Sequence, residues 1–443
     1  MASQPTSPTA KRVQDITCAT CACLCDDIEL TIQGNRIVAV ENACAEGKAR
    51  FLRDRSAAQP ACLIEGKPAT LEQGIERAAQ LLSAARYPLV FGLRQTTIET
   101  QRVALGIADA LGAVIDSTDG DFHGSAGLAL PKVGESTCSL GEVKNRGDLV
   151  IFWGTDPAET HPRHLDRYSF EPKGLFVPGG RVDRTCVVID SQVNSTAASA
   201  DSFLQIKPNS DFEAIWTLRA LLAGIEVDAT LIEATTGQSL DAWQSLLTQM
   251  KQAKYGVIFF GDRLTNSRGL YANGDAIRAL TRDLNEHTRF VCRFNRREPN
   301  ASGAENVSAW QTGYPFAVNL AAGYPRFSPG EYSATAVLAR READAALIVS
   351  GDPVAALPAA ARQHLATIPT IALQSLDTPS SLSSTVVFNV AASGIEVPGP
   401  LSPSTMYRLD DVPLPLRAVL TSPLPSDRDL LARIEQRLKE FEV

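Results

Sequence analysis

Four cysteines, Cys18, Cys21, Cys23 and Cys25, fall within eight residues of a 443-residue chain that has nine. The spacing Cys18-x2-Cys21-x3-Cys25, with Cys44 to follow, suits iron–sulfur ligation. A short loop brings three thiolates to one face of a cluster, and a fourth arrives from a separate segment. A tetrahedral zinc site uses similar short spacings, and a set of reduced, buried thiols needs no metal at all. The spacing leaves all three readings open. Cys23 falls outside the ligand pattern and reads as a small packed hydrophobe. Cys62, Cys138, Cys186 and Cys292 are scattered, the last two inside apolar runs with strand character.

Three of the five histidines lie in two polar turns. His161 and His164 occur in "ETHPRHLDR", where together with Arg163 they could bind phosphate or order the loop. His123 occurs in "DGDFHGSAG", a Gly-rich turn after the apolar stretch "AVID". An internal echo adds weight to the first turn. Residues 148–159, "DLVIFWGTDPAE", and 345–356, "AALIVSGDPVAA", each run from a buried strand into Gly, Asp and Pro. Ligands of open α/β sheets bind beyond the carboxyl ends of the strands. Gly154, Asp156, Gly351 and Asp352 are therefore candidates for two lobes facing one elongated ligand, or for a duplicated scaffold. Gly-Asp-Pro is also ordinary turn chemistry, which predicts the same tripeptide without a ligand. The chain has no P-loop, no GxGxxG, no HExxH helix and no GxSxG elbow.

The elements that must position these residues follow from periodicity. "DDIELTIQGNRIVAV" alternates on both sides of a Gly-Asn turn and predicts a hairpin. From about residue 69, amphipathic stretches such as "LEQGIERAAQLLSAAR" alternate with short apolar runs such as "YPLVFGL", "RTCVVIDS" and "YGVIFFG". That pattern predicts parallel α/β sheets. The expected organisation is a disordered, Pro/Ser-rich lead-in over 1–15 and a small β domain with the cysteine loop over 16–68. One α/β lobe over 69–254, a second over 255–393, and a Pro-rich tail with a terminal surface helix over 394–443 complete it. A net charge of −8, with no basic run, argues against a nucleic-acid partner. No apolar stretch reaches the roughly 20 residues a membrane helix needs. With a polar N-terminus that has no apolar core, the chain is expected to be cytoplasmic, its cysteines reduced.

These pieces together resemble one family, the B subunits of formylmethanofuran dehydrogenase, within the molybdopterin oxidoreductases. The closer likeness is to the family's relative in the formyltransferase/hydrolase complex of methylotrophic bacteria. The resemblance runs over most of the chain, through "CATCACLCDDI", "NACAEGKARF", "STCSLGEVKNRGDLVIFWGTDPAETHPRH", "WQTGYPFAVNLAAGYPRFSPGE", "READAALIVSGDP" and "STMYRLDDVPLPL". It implies a molybdopterin oxidoreductase-like fold: two Rossmann-like parallel-sheet lobes plus a small N-terminal β domain. It implies a [4Fe–4S] cluster on Cys18, Cys21, Cys25 and Cys44. It also implies that the turns at Gly154, Asp156, His161, Arg163, Gly351 and Asp352 derive from a site for the two dinucleotide arms of a molybdenum or tungsten bis-pterin.

One position departs from the redox members. Where they carry a metal-ligating Cys or selenocysteine before His-Gly, this chain has Phe122 before His123 and Gly124. A thiolate stabilises a soft, high-valent metal, whereas a phenyl ring has no lone pair to give. The resemblance therefore implies a vestigial site at Phe122, His123 and Gly124, no catalytic residue and no pterin. The expected role is a non-redox structural subunit. Its partners would be the other subunits of a formyltransferase/hydrolase complex and a methanofuran-type carrier. The alternative is an active molybdenum or tungsten formylmethanofuran dehydrogenase subunit.

Overall fold

The structure is a computed structural model that describes residues 9–118, 133–350, 352, 354, 357–401 and 414–441. The chain divides into two compact units, Met1–Asp121 with Glu298–Val443, and Phe122–Arg297. The first unit begins with an antiparallel sheet of β1 (Lys11–Ile16), β2 (Ile28–Gln33) and β3 (Arg36–Glu41). The expected hairpin is β2–β3, and Ile28, Leu30, Ile32 and Ile37 turn one face inward. β1 is a correction to the sequence reading, which placed residues 11–15 in a disordered lead-in. They pair antiparallel with β2 instead. Composition hid the strand, but Arg12 completes it by ion-pairing across the sheet with Glu29 and Glu41.

The helix α1 (Ala45–Phe51) follows, then β4 (Cys62–Ile64), β5 (Lys67–Ala69), α2 (Leu71–Ser83), β6 (Pro88–Gly92), α3 (Ile98–Ala110) and β7 (Val114–Ser117). Thr70 opens α2 with a capping box to Gln73. The second unit holds β8 (Leu149–Trp153), β9 (Thr185–Asp190), β10 (Ser202–Gln205), β11 (Tyr255–Phe260) and β12 (Arg289–Phe294). All pair in parallel, in the order β10-β9-β8-β11-β12. In chain order this is the 3-2-1-4-5 pattern of a doubly wound fold, whose switch point lies between β8 and β11. β8 and β11 are buried along their whole length, as their unbroken apolar runs require.

The chain then returns to the first unit through β13 (Val318–Asn319), β14 (Arg326–Phe327), β15 (Ala345–Val349), β16 (Thr370–Gln374) and β17 (Val386–Asn389). The large sheet runs β14-β13-β7-β6-β15-β16-β17-β4-β5. Its parallel centre, β7-β6-β15-β16-β17, reads 2-1-3-4-5, with the switch point between β6 and β15. The sequential division into 69–254 and 255–393 differs from this arrangement. β6 pairs with β15, which begins at residue 345, and β7 with β13, which begins at residue 318, while β8 pairs with β11, which begins at residue 255. The second unit is thus inserted into the first.

The Pro-rich tail contributes a hairpin of β18 (Gly399–Leu401) and β19 (Leu414–Leu416). The terminal helix Asp427–Lys439 exposes one face. With the other it sinks Leu430, Leu431, Ile434 and Leu438 into the core shared by α2, α3 and β6.

Candidate functional site

The cysteine loop is built by two backbone hydrogen bonds, Cys18 N–H to the Cys25 carbonyl at 2.8 Å and Leu24 N–H to the Cys21 carbonyl at 3.2 Å. Leu24 adopts a left-handed backbone at φ 45° and packs on Leu401 and Leu416. Thr17 Oγ1 donates to the Pro415 carbonyl at 3.3 Å. The tail hairpin therefore forms the bed of the loop. Cys18, Cys21, Cys23 and Cys25 are all buried. Cys44 caps α1, its sulfur accepting the Gly47 N–H at 3.4 Å. A Cβ built on Gly47 would meet Cys18 Sγ at 3.3 Å and Cys44 Sγ at 3.7 Å. The glycine thus keeps open the space where the loop and the fourth expected ligand meet.

The donor set fits an iron–sulfur or zinc centre in chemical type and in the convergence of its two segments. Among the described residues, however, no group of three or more His, Cys, Asp or Glu side chains stands at metal-holding spacing. The sulfurs face other partners. Cys18 Sγ lies 3.1 Å from Thr20 Oγ1, and Cys23 hydrogen-bonds Cys21 and Cys25. Burial pushes the Cys18 thiol up to about 11, against the opposing pull of Arg50. Those hydrogen bonds, with burial, hold Cys23 well above the ordinary thiol range. These two thiols are neutral at pH 7, so a metal binding there would release protons. Cys23 sits among the ligand-type thiols; the spacing that set it aside carried no signal of this contact.

The two Gly-Asp turns lie at the switch points of their sheets, after β8 and after β15. Asp156 is buried and accepts Ser195 N–H at 2.9 Å, Thr196 N–H at 3.0 Å and Thr196 Oγ1 at 2.5 Å. Asp352 accepts Val354 N–H and Ser381 N–H, each at 3.2 Å. Gly154 has φ +58°, and a Cβ there would come within 2.6 Å of Leu264 N. Gly261 is its counterpart after β11, where a Cβ would meet Thr155 at 2.7 Å. The glycines let the two switch-point turns of the second unit press together. His161 is buried, with Nε2 against the Arg296 carbonyl and Nδ1 2.8 Å from Thr160 Oγ1. Burial pushes its pKa down to about 4. Arg163 is half-buried.

Gly154, Asp156, His161 and Asp352 are thus held by internal contacts. The side chains that would meet a pterin dinucleotide at these turns are already engaged within the protein. Phe122, His123, Gly124 and Gly351 lie outside the described residues.

Sequence reasoning missed the setting of His164. It is buried, bonded through Nδ1 to Ser169 Oγ at 2.9 Å, and packed edge-on against Phe259 at 4.8 Å. Burial, then the neighbouring His161 and Arg293, holds its pKa well below the usual histidine value. The charged neighbours in "ETHPRHLDR" masked the apolar wall of Phe152, Phe259 and Tyr168 against which this ring packs.

No helix among the described residues is long and apolar enough to cross a membrane. No protein-family model matches the chain. The B subunit of the tungsten-containing formylmethanofuran dehydrogenase 2 of Methanocaldococcus jannaschii is 37% identical over 97% of this chain and 99% of its own length. Its counterpart in Methanococcus maripaludis is 35% identical over the same shares. The B subunit of the formyltransferase/hydrolase complex Fhc of Methylorubrum extorquens is 27% identical over 66% of this chain and 75% of its own. Of these three, the dehydrogenase subunits share the greater identity.

The crystal structure of the FhcABCD complex of Methylorubrum extorquens with methylofuran superposes with a TM-score of 0.68. The match is 25% identical and covers 86% of this chain and 99% of that one. Acetylene hydratase from Pelobacter acetylenicus superposes with a TM-score of 0.65 at 12% identity, over 97% of this chain and 70% of that one, a likeness of fold alone. Near-complete coverage at 37% identity, together with the two doubly wound sheets of a molybdopterin oxidoreductase-like fold, places this chain in the family of formylmethanofuran dehydrogenase B subunits.

Proposed function

We propose that this chain is a non-redox structural subunit of a cytoplasmic formyltransferase/hydrolase complex. Such a complex would convert formyl-tetrahydromethanopterin to formate through formyl-methanofuran during formaldehyde oxidation. The observation that carries the reading is Phe122, which stands in "DFHGSAG" where a redox subunit needs a metal-ligating thiolate or selenolate. The internal bonding of Asp156, His161 and Asp352 is consistent with turns that serve the fold. Transferase and hydrolase chemistry would belong to partner subunits, with this chain as scaffold and as a wall for the carrier. The thiols at Cys18, Cys21, Cys25 and Cys44 would hold a cluster or zinc that stabilises the small N-terminal domain.

A second reading, an active tungsten or molybdenum dehydrogenase subunit, draws on the 37% identity to a tungsten-containing enzyme and on the complete thiol set. Elemental and pterin analysis of the purified complex separates the two. The structural reading expects tungsten and molybdenum well below one per chain, with formate released from the formylated carrier without an electron acceptor. Stoichiometric tungsten or molybdenum with pterin on this chain, and acceptor-dependent turnover, would overturn it.

A further inference from the structure

A cavity of about 430 Å³ opens in the first unit between the β2–β3 turn, the segment after α1 and residues 420–424. That volume lies within the roughly 300–1,000 Å³ of small-molecule sites. Three guanidinium groups line it, Arg36, Arg53 and Arg55, against two carboxylates, Asp54 and Glu396. Both carboxylates already serve the backbone. Asp54 accepts the Ser56 N–H at 2.9 Å, and Glu396 accepts the Ala392 N–H at 2.8 Å.

Arg55 forms the buried wall, its side chain only 6% exposed. Its Nη2 donates to Asp377 Oδ1 at 2.6 Å and to the Arg50 carbonyl at 3.2 Å. Its Nη1 is 3.9 Å from Glu396 Oε2, and neither Nη1 nor Nε has a hydrogen-bond acceptor. Unmet buried donors cost about 1–3 kcal/mol each, more when charged. The group that meets a guanidinium fork best is a carboxylate or phosphate taken by two parallel N–H···O bonds. Arg36 and Arg53 are exposed at the mouth. Ile37, Leu376, Leu420 and Leu424 supply apolar wall between them.

We propose that this cavity binds a small oxyanion, a phosphate ester or carboxylate on a compact carbon skeleton, held directly by Arg36 and Arg53 at the mouth, with the buried Arg55 guanidinium adding positive charge from behind the wall. Occupancy ties three segments of the first unit together, including the one that leads out of α1, whose first turn is capped by Cys44.

The test is a thermal-shift and calorimetric titration of the purified full-length protein. The probes are inorganic phosphate and succinate, each against sodium chloride of equal ionic strength. Ligand that binds only the folded state raises Tm in proportion to the logarithm of its concentration. At least one probe is expected to raise Tm by about 2 °C or more at a hundredfold excess over its Kd. Phosphate alone would mark a phosphate ester, and succinate alone a carboxylate. The double variant R36Q/R53Q changes only exposed side chains, although Arg53 gives up its bond to the Leu376 carbonyl. It should lower the unliganded Tm by about 1 °C at most and weaken binding about tenfold or more. Arg55→Gln should also weaken binding, but it lowers the unliganded Tm by breaking a buried ion pair, so the mouth variant decides. No shift beyond sodium chloride, or equal shifts in wild type and R36Q/R53Q, overturns the proposal.

Discussion

The two Gly-Asp-Pro turns share a sequence grammar but not an environment. Each follows a fully buried central strand, and in each the residue directly after the strand is left-handed. After β8 that residue is Gly154, at φ +58°; after β15 it is Ser350, at φ +59°. By backbone, the partner of Gly154 is therefore Ser350 rather than Gly351, and both stand two residues before the aspartate. The second unit fills the space over its glycine with Leu264 and buries its aspartate under three hydrogen bonds. The first unit gives the strained position to a serine, whose hydroxyl donates to the Gln95 carbonyl at 3.1 Å. Its half-buried aspartate has two longer bonds. One motif thus holds its aspartate buried under three bonds in the second unit and half-buried under two longer ones in the first.

The largest expected effect is at Gly154. A left-handed non-glycine residue costs about 1–2 kcal/mol, and here a Cβ would also press on the Leu264 backbone at 2.6 Å. Gly154→Ala should lower stability by about 4 kcal/mol. Denaturant titration followed by tryptophan fluorescence reads this directly, because Trp153 and Trp243 are buried and stacked in the second unit. A loss under about 1 kcal/mol would mean that Leu264 gives way freely, and the contrast between the turns would fail.

Acid should separate the turns next. His161 follows only the turn of the second unit, and its folded pKa of about 4 lies below the ordinary 6.5. The unfolded chain binds the proton first, so this stabilisation is complete above pH 6.5 and is lost as pH falls towards 4. The depression corresponds to roughly 3 kcal/mol. His164, also depressed by burial, acts in the same direction. Tryptophan-monitored stability should fall between pH 7 and pH 4.5, and His161→Gln should flatten the fall. An unchanged slope in that variant would assign the acid response elsewhere.

How much of this was legible in the sequence depended on which physical signal each residue sends. Strand positions were legible because parallel strands buried on both faces leave unbroken apolar runs such as "LVIFW" and "AALIV". Strand partners were not. Periodicity says that residues 88–92 form a strand, but not that it pairs with one more than 250 residues later. The meeting of the cysteine loop and Cys44 was foreshadowed by spacing, whereas the Cys23 contacts and the bed formed by Leu401 and Leu416 depend on tertiary packing. His161 and His164 read as loop residues because their neighbours in sequence are charged, while in space His164 packs among aromatic rings and His161 is buried against His164 and the Arg296 carbonyl.

The aspartates give a smaller, paired test. Asp156→Ala leaves the buried N–H and hydroxyl of Thr196, and the N–H of the exposed Ser195, without an acceptor, which should cost about 3 kcal/mol. Asp352→Ala removes two longer bonds from a half-buried carboxylate and should cost about 1 kcal/mol. Equal losses in the two variants, measured by denaturant midpoint, would show that the turns are energetically alike despite their different burial.

The smallest effect sharpens the comparison most, because it acts on the corresponding backbone position. Ser350→Gly relieves left-handed strain of about 1–2 kcal/mol, but it loosens the unfolded chain and removes the bond to the Gln95 carbonyl. Removing that bond costs about 1 kcal/mol. The terms nearly cancel, so the variant should stay within about 1 kcal/mol of wild type. Gly154→Ser, the reciprocal change, gains no comparable relief, because the space over Gly154 belongs to Leu264. If Ser350→Gly cost as much as Gly154→Ser, the serine hydroxyl would be the main brace of its turn. The first unit would then be as tightly closed at its switch point as the second.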